Sequence, residues 1–123
     1  MKLTENFNLS EFASKDGAEF PPEIIENLRR FAAALQVIRD TVKAPISITS
    51  GYRSPAHNRA VGGASNSTHM QGIAADFKVQ GMAPIVVAAI VERLIAEGKI
   101  PQGGLKAYPS WVHYDIRGTK ARW

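Results

Sequence analysis

Two imidazoles and a carboxylate, those of His69, Asp76 and His113, are the side chains of this sequence best suited to chemistry. Two histidines and one carboxylate, with a fourth position left to water, is a typical protein contribution to a catalytic zinc site. His69 and Asp76 belong to Ser67-Thr68-His69-Met70-Gln71-Gly72-Ile73-Ala74-Ala75-Asp76, and His113 opens His113-Tyr114-Asp115. A His and an Asp seven apart ordinarily belong to a solvated loop. Here Ser67, His69, Gly72, Ala74 and Asp76 form a pattern that chance produces about once per million windows, so it is read as a signal. Gly72, Ala74 and Asp76 alternate into Phe77-Lys78-Val79, which reads as a strand. Small residues at period two let a backbone come close to a neighbour and turn Asp76 to the face of Ala74 and Gly72.

Other elements must bring these residues together. Leu9-Ser10-Glu11-Phe12-Ala13 reads as a short helical turn with Ser10 as N-cap. A long helix should start near Pro21-Pro22, since proline suits the first turn. Ile24, Leu28, Phe31, Leu35, Ile38 and Val42 recur at spacings of three and four and make one buried stripe. Acidic residues gather early in this helix and basic ones late, as the helix dipole prefers. Pro45 closes it, and Ile46-Ser47-Ile48-Thr49 alternates as a strand. Residues 51–66 read as a loop with one helical turn after Pro55, a length that is usually functional. That loop carries Arg53 and His57.

Residues 83–97 read as a second helix, whose run Ile85-Val86-Val87-Ala88-Ala89-Ile90-Val91 implies burial on more than one side. Gly103 to Tyr108 and Trp111 to Ile116 read as a hairpin. In its second strand Trp111, His113 and Asp115 share one face and Val112, Tyr114 and Ile116 the other. Residues 118–123 form a basic tail with no evident structure.

The length of 123 residues predicts a single domain, residues 1–123, around one modest core. Without cysteine, disulfides and thiolate metal sites are excluded, and any metal falls to His, Asp or Glu. The opening residues contain no apolar signal-like core, so synthesis in the cytoplasm without a signal peptide is expected. No apolar run reaches the roughly 20 residues of a spanning helix, so membrane insertion is not expected. A formal net charge of +4 suits an anionic partner such as nucleic acid, anionic membrane or bacterial cell wall. It equally serves solubility alone. Nucleic acid is the weakest of these readings, because the basic residues are scattered and not interleaved with aromatics.

Three blocks in order, Ile48-Thr49-Ser50-Gly51-Tyr52-Arg53-Ser54, Ser67-x-His69-x-x-Gly72-x-Ala74-x-Asp76 and Val112-His113-x-Asp115, give residues 46–117 a family likeness. This stretch resembles the zinc D-alanyl-D-alanine carboxypeptidase and murein endopeptidase family (metallopeptidase family 15, subfamily A), whose fold is shared with the Hedgehog signalling domain. The resemblance implies an α+β domain, a small antiparallel sheet with helices packed on it and zinc in a groove on the sheet. It implies His69, Asp76 and His113 as zinc ligands, and Arg53 as the group that stabilises the oxyanion or holds a substrate carboxylate. Ser67 either meets substrate or braces its loop. His57 and Gln71 are weaker candidates for substrate contact, His57 reading more readily as a surface loop residue. Many family members carry an acidic general base three residues before the last zinc-binding His, where this chain has Ser110. Asp115 is the nearest replacement, either as base or as a brace for His113 or Arg53. With Asp115 as brace, His57 or zinc hydroxide is left as the base.

The expectation is therefore a zinc-dependent peptidoglycan peptidase, acting as a monomer on stem or cross-bridge peptides at a D-alanyl-D-alanine or L-alanyl-D-glutamate bond. It would work at the bacterial wall as a phage-type lysin or virion-associated hydrolase. The rival is a non-catalytic zinc-containing wall-binding or structural module.

Overall fold

The computed structural model describes residues 1–123. A 3-10 turn, Leu9–Phe12, precedes helix α1 (Pro22–Val42) and strand β1 (Ile46–Ser50). Helix α2 (Pro55–Ala60), a second 3-10 turn (Thr68–Gln71), strand β2 (Ala74–Val79) and helix α3 (Pro84–Ala96) follow. Strands β3 (Leu105–Ala107) and β4 (Val112–Asp115) close the chain's regular structure. The strands form one antiparallel sheet in the order β1-β2-β4-β3. This is the small α+β sheet-and-helix architecture that the resemblance implied.

The sheet has two unlike faces. Directly opposed residues of an antiparallel pair point to the same side. Ala75 faces Tyr114 and Phe77 faces Val112 across β2 and β4, and all four are buried. On this side α1 brings Phe31 to 5.9 Å from the Tyr114 ring and 6.1 Å from Phe12. Ile24, Leu28, Leu35, Ile38 and Val42 of α1 are buried in the same cluster, as their spacing predicts. Each large side chain withdrawn from water here contributes about 2 to 3 kcal/mol. On the opposite face Asp76 pairs with His113 and Ala74 with Asp115. The polar triad thus stands on the side of the sheet turned away from the apolar core.

Several local expectations are corrected. Asn8 caps the first 3-10 turn, not Ser10, because Glu11 reaches back to the Asn8 amide at 2.7 Å. Helix α1 stops at Val42, with Lys43 in the left-handed region at φ 55°, before Pro45 is reached. Helix α3 is buried along one side only, through Val87, Val91 and Leu94, and leaves Ile85 and Val86 exposed. Its apolar run overstated burial because a run without period cannot say how many neighbours cover a helix. Gly72 precedes β2 as the left-handed cap of the Thr68–Gln71 turn. A side chain at Gly72 would meet Ile24, so its smallness serves packing against α1.

Residues 118–123 are held in place. Ala121 bridges to Gly104 beside β3, and the Arg122 guanidinium meets the Glu92 carboxylate of α3 through two contacts of 2.8 Å. Arg122 also donates to the Gly103 carbonyl at 2.6 Å. No helix is long and apolar enough to cross a membrane.

Candidate metal centre and substrate groove

Each of the three proposed ligands comes from an element that the sequence shapes locally. Ser67 caps the Thr68–Gln71 turn by accepting from the His69 amide at 3.2 Å, which sets the His69 backbone. Asp76 and His113 are register partners on the central strands. A bulge in β1 between Ile48 and Ser50 turns the chain end so that Ser50 and Gly51 reach the same region. One ligand atom each from His69, Asp76 and His113 lies within 4.8 Å of the others.

Proton positions follow from the hydrogen-bond partners. His69 Nδ1 is 2.8 Å from the Gly51 carbonyl oxygen, which only accepts, so Nδ1 carries the proton and Nε2 presents its lone pair. That Nε2 lies 3.4 Å from Asp76 Oδ1. His113 Nε2 is 2.8 Å from Asp115 Oδ2, so it is protonated, and Nδ1 faces Asp76 Oδ1 at 3.1 Å. Two lone pairs and a carboxylate oxygen thus converge, an arrangement that repels itself unless a proton or a cation sits between. The donor set fits zinc: two imidazole nitrogens, one carboxylate oxygen and outer partners that orient both rings.

The electrostatics agree. Burial pushes the Asp76 carboxyl up, but the His113 and His69 rings, when protonated towards it, outweigh this and hold the group well below the usual range. Burial pushes His113 down, and its bonds to Asp115 and Asp76 more than reverse this, so the ring retains positive charge more readily than usual. Asp115 is also held ionised: against burial stand His113, Arg117 and the Gly104 amide.

Asp115 is fully buried and lies outside the lining of the groove. Its Oδ1 accepts from the Gly104 amide at 2.9 Å and from Arg117 Nε at 2.9 Å. Its Oδ2 accepts from Arg117 Nη2 at 2.8 Å, from Thr68 Oγ1 at 3.3 Å and from His113. Glycine is required opposite it, because a Cβ at Gly104 would fall 2.3 Å from Asp115 Oδ2.

The triad opens into a groove of about 470 Å³ that Arg53, Ser67, Arg117 and Trp123 also line. Arg53 Nη2 is 3.7 Å from Asp76 Oδ2. Ser50 and Asn58 accept from its Nε and Nη1 at 3.3 and 3.4 Å. Tyr108 and Trp111 stack at 4.6 Å to build one wall. Trp123 donates to the Tyr108 hydroxyl at 3.2 Å and sets its ring 5.3 Å from that of His113.

The structure therefore brings Arg53, Ser67, His69, Asp76 and His113 to one groove, with Asp115 directly behind His113. His57 and Gln71 are not among the groove residues. His57 lies in α2, where its amide donates to Ser54. Gln71 is exposed on the α1 side, its carbonyl accepting from Asn27 at 2.9 Å. Ser110 is exposed in the β3–β4 turn. Sequence reasoning missed Arg117 and Trp123. Arg117 continues the alternation of His113 and Asp115, a signal that was available; Trp123 lies in a tail without a pattern.

The class that fold and site define is matched by comparison. A family model described as Peptidase M15 matches residues 2–115, and the chain belongs to that family of peptidases. Among solved structures, the L-Ala D-Glu endopeptidase ChiX of Serratia marcescens shares its fold with a TM-score of 0.51. Identity is 23%, over 79% of this chain and 88% of that one. No curated protein sequence matches it significantly.

Proposed function

We propose that this chain is a zinc-dependent peptidoglycan peptidase that hydrolyses a stem or cross-bridge peptide bond. The observation that carries this reading is the convergence of His69, Asp76 and His113 within 4.8 Å in an open groove. Membership of the peptidase M15 family supports it, and the three sequence blocks favour subfamily A within that family. His69 through Nε2, Asp76 through Oδ1 and His113 through Nδ1 would hold the ion. Zinc bound there supplies an activated water and polarises the scissile carbonyl.

The chain's own residues divide the remaining work. Arg53 is fixed by Ser50 and Asn58 beside Asp76, and its guanidinium stabilises the charge that develops on the carbonyl oxygen. Asp115 orients His113 and, with every oxygen engaged and no exposure, serves as its brace and not as the base. Ser67 braces the His69 turn. An L-alanyl-D-glutamate bond is favoured over D-alanyl-D-alanine, on the likeness to a protein that bears the former activity in its title. A phage-type lysin or virion-associated hydrolase, working as a single monomeric unit at the wall, suits the small basic chain.

One observation favours a second reading, a zinc-containing wall-binding module without turnover. Ser110 replaces the expected acidic base, and Asp115 is sealed from the groove. Mass spectrometry of purified peptidoglycan digested by the zinc-loaded protein, with a chelated control, separates the two. New chelator-sensitive stem-peptide fragments are expected, and their masses name the bond. Intact muropeptides from both Gram-negative and Gram-positive walls would replace the peptidase with the binding module.

A further inference from the structure

The guanidinium of Arg117 is used along one edge only. Its Nε and Nη2 grip Asp115 at 2.9 and 2.8 Å, while Nη1 makes no hydrogen bond within the protein. About a third of the side chain is exposed, 34%, and it lines the groove beside the metal triad. Trp123 covers it, the guanidinium carbon lying 5.7 Å from the ring centroid. The indole is itself anchored through Tyr108. This cation–π contact helps hold the guanidinium with its free edge in place.

The charge balance asks for an anion. Arg53 and Arg117 offset Asp76 and Asp115, so a divalent ion leaves the groove with two positive charges uncompensated. Arg53 hydrogen-bonds Ser50 and Asn58, and its Nη2, only ion-paired to Asp76 at 3.7 Å, is the donor assigned to the carbonyl oxygen. Arg117 is a second guanidinium with a donor to spare, and the reaction gives it no other use.

We propose that Arg117 is a specificity-determining residue that binds a free carboxylate on the α-carbon of the leaving residue. The two bonds considered above share this chemistry. The α-carboxylate of D-glutamate and the terminal carboxylate of D-alanyl-D-alanine both sit on the carbon attached to the leaving nitrogen. Either carboxylate carbon is three bonds from the scissile carbonyl carbon, about 3 to 4 Å away. Arg117 is one carboxylate removed from His113 and lines the same groove as the triad, which puts it next to the residue on the leaving side of a carbonyl bound there. The substrate is then an N-acyl amino acid unit with an unmodified α-carboxylate, and amidation of that group to a carboxamide is selected against. The inference rests on the peptidase reading for the placement of the scissile bond.

The test uses the full zinc-loaded chain and reduced-amide analogues, with CH2–NH in place of the scissile CO–NH, which cannot be hydrolysed. One pair carries L-alanyl-D-glutamate and its D-isoglutamine counterpart, the other D-alanyl-D-alanine and its terminal amide. Calorimetric Kd should favour the acid about tenfold or more in at least one pair, as a charge-assisted bond predicts. The favoured pair names the source of the carboxylate. Arg117→Gln should reduce that preference below about threefold. So should Arg117→Lys, which leaves a cation for Asp115 but lacks the second edge and guards against loss of fold in the first variant. A merely structural role would weaken acid and amide alike and keep their ratio. Equal binding of acid and amide by the wild type, no binding of any analogue, or a preference that survives in either folded variant overturns the proposal. Hydrolysis of the parent amides is measured in parallel. Acid preference without hydrolysis sinks the peptidase reading alone, whereas hydrolysis without acid preference sinks this one alone.

Discussion

The two histidines that face Asp76 are supported in unlike ways. His113 stands on a central strand, and its outer nitrogen donates to a fully buried carboxylate that Arg117, Thr68 and the Gly104 amide hold in turn. His69 stands on a 3-10 turn, and its outer nitrogen donates to the Gly51 carbonyl, a neutral partner built into the backbone. A carboxylate behind an imidazole raises its basicity and draws positive charge onto the ring, while a peptide carbonyl fixes the tautomer with less effect on charge. The site thus combines a ring backed by a carboxylate on rigid sheet with a ring backed by a peptide carbonyl on a loop. The sheet side is open to tuning by side-chain substitution, and the loop side only by changing backbone.

The comparison breaks most completely when a proposed ligand is removed. His69→Ala, Asp76→Ala and His113→Ala should each lose bound zinc, read as metal content of the purified protein. Full occupancy in any one would remove that residue from the ligand set. Next in size, Arg53→Ala should keep the metal and lower turnover by about 100-fold or more, as loss of an oxyanion donor does elsewhere. An unchanged rate would end its assigned role.

Asp115→Asn sharpens the contrast between the two rings. Zinc affinity should fall by about 10- to 100-fold, the usual effect of losing an outer partner. At saturating zinc, activity should stay within about tenfold of wild type, because a general base contributes roughly 100-fold or more. Nitrogen NMR of the metal-free protein offers a readout independent of turnover. The outward nitrogens, Nε2 of His113 and Nδ1 of His69, should be protonated whatever the state of the nitrogens that face Asp76, and the His113 Nε2 signal should respond more strongly to Asp115→Asn than the His69 Nδ1 signal.

The smallest effect concerns the support of the Arg53 loop. Hydrogen bonds from Ser54 and Ser14, with the Ala18 amide, lower the Asp16 carboxyl from 3.8 to about 2. A folded-state value below the unfolded one means stability that is present above about pH 4 and lost as pH falls towards 2. Asp16→Asn should therefore melt below wild type at neutral pH, and the gap in Tm should narrow as pH drops through that window. A gap constant from pH 7 to 2 would show that the carboxylate charge contributes nothing there.

Much of this was legible in the residues. The stripe of α1, the alternation of β1 and β4 and the shared face of His113 and Asp115 are period arguments, and local chain geometry enforces periods. The spacing of Ser67, His69 and Asp76 likewise marked one candidate site, since few other uses require those residue types together. Period also separates the two sides of a strand, which is how Asp76 and His113 came to face away from Phe77 and Tyr114.

Pattern does not report which partner covers a face or how far a side chain reaches. The single buried side of α3, the exclusion of His57 and Gln71 from the groove and the sealing of Asp115 by Arg117 and Gly104 depend on contacts between distant segments. Trp123 is the clearest case. Its place over His113 and Arg117 comes from the Arg122–Glu92 pair and the Ala121–Gly104 bridge, interactions across many residues that leave no periodic trace. The sequence by itself determined which groups could bind a cation. Only the tertiary structure decided which of them are free to meet a substrate, because that depends on hydrogen bonds already spent inside the fold.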